Sequence, residues 1–194
     1  MSRLGFYFDQ TRCVGCRTCQ MACKDVNDLD VGVLFREVKT YETGSFPDAF
    51  IFHYSGSCHH CAEPACVANC PSGAMFIAED GTVQHDDSLC LGSDCLICVS
   101  SCPYGHPKYI ETKGVTGKCS ACKSLRDKGL NPACTDACIT RALQFGDLDE
   151  LEAAFGPGLT NELPFLPSSG ETSPSLLIKA RENIQNGACR EKEI

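Results

Sequence analysis

The chain has no tryptophan and only three methionines, and its ten phenylalanines and five tyrosines are spread thinly over 194 residues. Much of the apolar content is cysteine, so a conventional core is thin for this length. Something else must supply part of the folding free energy. No apolar run approaches the roughly 20 residues needed to cross a bilayer, and no membrane span is expected. The opening Met-Ser-Arg-Leu-Gly-Phe-Tyr-Phe-Asp has neither an apolar h-region nor a small-residue cleavage site, so nothing in it marks the chain for secretion. Positive charge is short as well: 17 lysines and arginines face 25 acidic residues, for a net charge of −8. Nucleic-acid binding asks for clustered lysine and arginine, so no nucleic-acid partner is expected. There is no Ser-His-Asp pattern, glycine-rich phosphate loop or carboxylate pair, and the chain is not expected to be an enzyme on its own.

What the chain has in excess is cysteine. Sixteen of its seventeen cysteines fall into four consecutive quartets: Cys13-Cys16-Cys19-Cys23, Cys58-Cys61-Cys66-Cys70, Cys90-Cys95-Cys98-Cys102 and Cys119-Cys122-Cys134-Cys138. In each the last cysteine follows the third by four positions, and two quartets run straight into proline, at Cys70-Pro71 and Cys102-Pro103. The first is C-x2-C-x2-C-x3-C, the spacing that wraps three thiolates around one face of an iron–sulfur cubane and sends the fourth elsewhere. Dense cysteine also builds disulfide scaffolds in small secreted chains, but such a framework has no need of one spacing repeated four times. Structural zinc shares the C-x2-C unit, yet uses it in pairs and rarely adds a third and fourth cysteine so close. Four quartets therefore imply four 4Fe-4S clusters and a chain that carries electrons. Four oxidised cubanes would add roughly −8 to the net charge, which Arg12, Arg17, Lys118 and Lys123 near the motifs are placed to offset.

Between the quartets the pattern is readable. Leu4 to Phe8 reads as a short strand delivering the chain to Cys13, and Gln20 to Asn27 as helical, with Cys23 on it. Val31 to Tyr41, rich in β-branched and aromatic residues, reads as a strand. Gly44-Ser45-Phe46-Pro47 breaks it, and Ala49 to Tyr54 is a second strand leading into Cys58. Ala74 to Ile77 and Thr82 to His85 flank Glu79-Asp80-Gly81, a hairpin signal because Asp-Gly accepts the positive φ of a tight turn. Strand, cysteine loop, helix, strand is the unit of bacterial ferredoxins. Seen four times, it predicts an α+β fold of two ferredoxin-like domains with two clusters each. Leu148 to Phe155 is an amphipathic helix expected to pack alone. Gly156 to Pro174, rich in proline, glycine and serine, reads as an irregular arm, either simply disordered or lying along a partner subunit. His59 and His60 fall inside the second quartet, where histidine can replace cysteine at some clusters. With four cysteines present, their expected place is beside the cluster or at the surface.

The phrases around the quartets carry a resemblance. Gly5-Phe6-Tyr7-Phe8-Asp9 ahead of Cys13-Val14-Gly15-Cys16 is similar to the start of the iron–sulfur subunit of dimethyl sulfoxide reductase and its molybdopterin-oxidoreductase relatives. Cys66-Val67-Ala68-Asn69-Cys70-Pro71-Ser72-Gly73-Ala74-Met75 and Cys102-Pro103-Tyr104-Gly105 resemble that subunit too, as do Glu111-Thr112-Lys113-Gly114 and Arg141-Ala142-Leu143-Gln144-Phe145-Gly146. The likeness runs over residues 3–150 and is weak over the C-terminal arm.

The resemblance implies that quartets one and four share a domain and exchange their last cysteines, as do quartets two and three. One cluster would take Cys13, Cys16, Cys19 and Cys138, and its neighbour Cys119, Cys122, Cys134 and Cys23. The other pair would be Cys58, Cys61, Cys66 with Cys102, and Cys90, Cys95, Cys98 with Cys70. The implied domains are residues 1–48 with 112–150, then 49–111, followed by a helix end and extended arm over 151–194. In relatives the cluster of the first three cysteines faces the catalytic subunit. The cluster of the third quartet lies farthest away, near a membrane quinone-interacting subunit where there is one. The implied function is electron relay through four 4Fe-4S clusters to or from a large molybdopterin-containing catalytic subunit. The alternatives are the same role in a formate dehydrogenase or hydrogenase, which often carry a C-terminal membrane helix, and a free polyferredoxin. The implied location is a complex soluble or peripheral to the membrane, assembled in the cytoplasm and in some relatives exported on the catalytic partner. The sequence departs from the family in its third quartet, C-x4-C-x2-C-x3-C, where Leu91-Gly92-Ser93-Asp94 stand in place of two residues. All four cysteines are kept, so a cubane of altered exposure or potential is expected there.

Overall fold

The strand that opens the chain, β1 (Leu4–Asp9), is buried from Gly5 to Asp9. It is the centre of a three-stranded sheet, antiparallel to β8 (Leu143–Asp147) on one edge and parallel to β9 (Leu176–Lys179) on the other. A strand covered on both faces carries a continuous apolar run, here Phe6, Tyr7 and Phe8, none more than 2% exposed. Burying each such side chain contributes roughly 1.5–3 kcal/mol. Gly5 is required at its place, because a Cβ there would overlap the Ser175 carbonyl oxygen and Leu148. The structure, a computed structural model, describes residues 3–184 and 189–192.

The second sheet holds the longest pairing, β2 (Arg36–Thr43) against β3 (Phe50–Ser57), in register from Arg36↔Ser57 to Thr43↔Phe50. A short strand, β10 (Arg190–Lys192), pairs with the outer edge of β2. The expected strand start at Val31 is wrong by five residues. Gly32 takes a φ of 84°, and Val31 is 97% exposed, so the chain is still turning where β-branched residues suggested extension. Two small hairpins follow: β4 (Met75–Ile77) with β5 (Val83–His85), and β6 (Lys108–Ile110) with β7 (Val115–Gly117). The first is the predicted one. Gly81 supplies the positive φ, 77°, and the Asp80 carboxylate ties the turn by accepting from the Thr82 N–H at 3.0 Å.

Short helices carry cysteines. They are α1 (Thr18–Val26), α2 (Ala65–Ala68), α3 (Ile97–Ser101) and, beyond α4 (Lys123–Arg126), which holds none and only follows Cys122, α5 (Ala133–Asp136). α1 packs on α5, and α2 on α3. The last helix, α6 (Leu148–Phe155), begins at an Asp147 cap whose carboxylate accepts from the Asp149 and Glu150 N–H groups. It does not pack alone, as its amphipathic pattern suggested. Phe155 stacks on Tyr7 with ring centroids 3.8 Å apart, and Leu148 covers Gly5. From Gly156 to Pro174 the chain is irregular, as expected, but beyond it β9 is built into the first sheet.

The result is a mixed α and β molecule of small sheets with two apolar cores. The larger joins β1, β2, β3 and β8 with the buried Cys19, Cys23, Cys58, Cys119, Cys134 and Cys138. The smaller consists of Met75, Val83 and two cysteines, Cys66 and Cys98, with Val67, Cys70 and Val99 against it. So little apolar surface cannot hold a unit together alone. Among the described residues, no helix is long and apolar enough to cross a membrane.

Candidate metal centres

Cys19 and Cys23 are four residues apart on α1, so their side chains leave one face about 6 Å from each other along the axis. One short helix thus presents thiols to two neighbouring positions. The same step separates Cys66 from Cys70, Cys98 from Cys102 and Cys134 from Cys138, each pair starting on α2, α3 or α5. Because α1 packs on α5 and α2 on α3, the last thiol of each quartet lands beside the first three of another.

Three of the resulting sets line cavities. Cys13, Cys16, Cys19 and Cys138 surround one of about 310 Å³, solvent-open mouth included, backed by Phe8, Val38 and Leu143. Cys58, Cys61, Cys66 and Cys102 surround a second of about 340 Å³, and Cys70, Cys90, Cys95 and Cys98 a third of about 260 Å³. The thiols of Cys23, Cys119, Cys122 and Cys134 face one another closely enough that charge on any of the last three raises Cys23.

The donor chemistry fits an iron–sulfur cubane. Every cysteine is free of disulfide bonds, and in three of the sets four thiols line one common hollow. Zinc would draw four sulfurs onto one tetrahedral point. Among the described residues, no three of His, Cys, Asp or Glu converge on such a point.

Burial keeps most of these thiols protonated when no metal holds them. It pushes Cys13, Cys61 and Cys122 up to about 11 and Cys66 up to about 12, and it raises Cys19, Cys23, Cys98, Cys119 and Cys134 as well. Three thiols go the other way. Burial also pushes Cys70 up, but N–H groups of Met75, Ser72 and Ala74 and the Ser72 hydroxyl outweigh it. At Cys138 the Thr140 hydroxyl and the N–H groups of Leu143, Ala142 and Thr140 do the same. At Cys90 the Thr116 hydroxyl, with the backbone of Thr116 and Gly92, outweighs burial in turn.

Cys70-Pro71-Ser72-Gly73-Ala74-Met75 and Cys138-Ile139-Thr140-Arg141-Ala142-Leu143 are therefore one device used twice. A hydroxyl stands two residues on, at 3.7 Å from sulfur in both. A left-handed residue stands three on, with φ of 71° at Gly73 and 54° at Arg141, and a strand starts five on. The shared Ser/Thr and Ala offsets were the signal in the sequence, and the reading of the quartets passed over it.

At the departing third quartet, Gly92–Asp94 coil into a single tight turn. Gly92 takes a φ of 62° and lies flat against the turn between β6 and β7, where a Cβ would run into the Gly114 carbonyl oxygen. Thr116 on β7 places its hydroxyl 3.5 Å from both Cys90 and Cys98. The extra residues thus brace the loop against a neighbouring hairpin.

The histidines of the second quartet are buried, at 3% exposure for His59 and 0% for His60. His59 Nε2 shares a hydrogen bond with the Tyr54 hydroxyl at 3.1 Å, and the Val83 N–H donates to His60 Nδ1. His59 and His106 line the cavity of Cys58, Cys61, Cys66 and Cys102 together with Tyr104. Lys118 is buried too, its ammonium donating to the Val83 and Cys119 carbonyls. Lys123 instead pairs with Asp127 at the surface, at 2.7 Å. The residue that sequence reasoning missed is Arg36. Along β2 the odd-numbered Glu37 and Lys39 are less buried than Arg36, Val38 and Thr40, so strand parity alone put a cation on the inner face.

Comparison with known proteins agrees with this chemistry. A family model of a 4Fe-4S dicluster domain matches residues 49–148, and one of a 4Fe-4S binding domain matches residues 4–25. The B subunit of the anaerobic dimethyl sulfoxide reductase of Escherichia coli K12 is 42% identical over 190 residues, covering 94% of this chain and 91% of the relative. The electron transfer subunit PhsB of the Salmonella typhi thiosulfate reductase is 40% identical over 149 residues, 74% of this chain and 76% of the relative. The protein NrfC of Escherichia coli K12 is 38% identical over 152 residues, 76% and 67% of the two sequences. The first is thus a chain of a reductase, and the second is an electron transfer subunit of one. Matched along nearly its whole length by such a relative, this protein belongs to the iron–sulfur electron-transfer subunits of the dimethyl sulfoxide reductase family.

Proposed function

We propose that the chain relays electrons through four 4Fe-4S clusters to or from a molybdopterin-containing catalytic subunit. The observation that carries this is the gathering of sixteen thiols from distant quartets into four sets that adjoin one another. Cys13, Cys16, Cys19 and Cys138 would hold one cluster, and Cys119, Cys122, Cys134 and Cys23 the next. Cys58, Cys61, Cys66 and Cys102 would hold the third, and Cys90, Cys95, Cys98 and Cys70 the last. When bound, such clusters accept and release single electrons. The chain's own part is to fix separation, exclude water and set the surrounding charge.

The order of the sets supports a line. Cys19 feels the charge of Cys134, and Cys119 that of Cys58, so the second and third sets meet at the middle. α2 and α3 join the third set to the fourth. Two ferredoxin-like domains, residues 1–48 with 112–150 and residues 49–111, would each hold a pair, with the larger core and the β2–β3 pairing running across their boundary. Val14 and Ile139 flank the first set at 59% and 67% exposure, an apolar face suited to the catalytic partner. Leu89, Leu91, Leu96 and Ile97 are exposed around the last set, a face suited to a membrane quinone-interacting subunit. The complex would be soluble or peripheral to the membrane.

The test is reoxidation. The chain purified with its large subunit and reduced by dithionite should lose its reduced-cluster EPR signal on adding an S-oxide such as dimethyl sulfoxide. The separated chain should keep the signal. Consumption of the S-oxide by the separated chain, or purification without any large subunit, would contradict the proposal and favour a free polyferredoxin.

Metal removal should expose how thin the smaller core is. Chelation of iron from the anaerobic protein is expected to strip hydrogen-exchange protection from residues 65–101 before the β8–β1–β9 sheet opens. Loss of protection in the reverse order would contradict the account.

A further inference from the structure

We propose that Arg36 is a positioning charge for the first pair of clusters, a permanent buried cation that holds both at a higher potential than their surroundings otherwise allow. The inference rests on the reading that the quartets hold cubanes. Arg36 is 2% exposed, and among the described residues no carboxylate pairs with it. Its guanidinium donates to the Ser55 carbonyl at 2.9 Å, the Ser55 hydroxyl at 3.2 Å and the Ser57 hydroxyl at 2.7 Å. It also lies over the Phe6 ring, 4.6 Å from its centroid. Neutral hydroxyls and a ring do not balance a buried ion, and Nε has no hydrogen-bond partner among the described residues.

The groups that can balance it are sulfurs. The strongest charges that Arg36 feels come from Cys134, Cys19, Cys119 and Cys23, which belong to the first two sets. The Ser55 hydroxyl that accepts from Arg36 is also 3.3 Å from Cys19 Sγ, so one short polar chain joins guanidinium to thiol. An arginine stays protonated at any relevant pH. A fixed cation favours the more negative, reduced state of any acceptor beside it, and a unit charge at close range in a protein interior is worth about tenfold or more in such an equilibrium. The leading influences on Cys70, Cys90 and Cys98 do not include Arg36.

The test is an EPR-monitored redox titration of the purified complex. In Arg36→Met the reduced fraction at fixed ambient potential should fall about tenfold for two clusters, a midpoint lower by ~59 mV for one electron. The cluster of Cys90, Cys95, Cys98 and Cys70 should stay where it is and serve as internal reference. Arg36→Lys, which keeps the charge and loses the fork, should load iron and stay near the wild-type midpoints. Full iron with unmoved midpoints in Arg36→Met would overturn the proposal. So would a shift in Arg36→Lys as large as in Arg36→Met. Failure of both variants to load iron would overturn it too, because the fork and not the charge would then be what matters. A wild-type chain without iron would instead sink the cluster reading itself.

Discussion

Replacing Cys16 and Cys138 together by alanine is expected to remove no more iron than replacing either alone, whereas Cys16→Ala with Cys23→Ala should remove the sum of the two single losses. The expectation follows from which thiols share a cavity. Cys16 and Cys138 line the same one, although 121 residues of chain lie between them. Cys23, only seven residues from Cys16, turns instead toward Cys119, Cys122 and Cys134. Two changes at one cluster are coupled, and changes at separate clusters add. A single cubane holds four irons, so the second pair should cost about eight of roughly sixteen per chain where each single change empties its site. The comparison stands even if a single change leaves a three-iron remnant, since the remnant is counted in the singles. Additive loss for Cys16 and Cys138, with no further loss for Cys16 and Cys23, would restore each quartet to its own cluster and refute the exchange.

Gly92→Ala should cost the third-quartet cluster and little else. The left-handed backbone alone penalises a Cβ by about 1–2 kcal/mol. At Gly92 that Cβ also meets the Gly114 carbonyl oxygen, a backbone atom that cannot step aside without moving the β6–β7 turn. The loop between Cys90 and Cys95 must then shift, and Thr116 loses its place between Cys90 and Cys98. Iron content is expected to fall from about sixteen to about twelve per chain, with the signals of the other clusters kept. Gly73→Ala is the control. Its φ is 71°, but a Cβ there meets nothing within 4 Å, so only the conformational penalty applies and iron should be retained. A fully loaded Gly92→Ala protein with wild-type thermal stability would contradict this.

The quartets made the chemistry legible because ligand spacing is a local property of the chain. Four-residue steps on short helices fix where thiols point before any tertiary contact is made. The strands were readable where alternation or burial was strong, as in β1 and β3. Val31 to Phe35 failed because propensity is a weak guide beside a glycine that must turn. The Leu176-Leu177-Ile178 run was short enough to hide behind the irregular arm, and only pairing with β1 makes it a strand. The packing of α6 on Tyr7 joins residues 148 positions apart, which no local pattern announces. Arg36 was hidden for a different reason. A charged residue in a strand is normally read as outward-facing, and the anionic surroundings that make its burial tolerable come from two quartets distant in sequence.

The most direct test of the central claim is the metal content of the complex purified anaerobically. The account predicts about sixteen irons and as many acid-labile sulfides per chain, as four filled cubanes require, with molybdenum or tungsten in a large co-purifying subunit. Zinc in place of iron, or half the iron with no acid-labile sulfide, would contradict it.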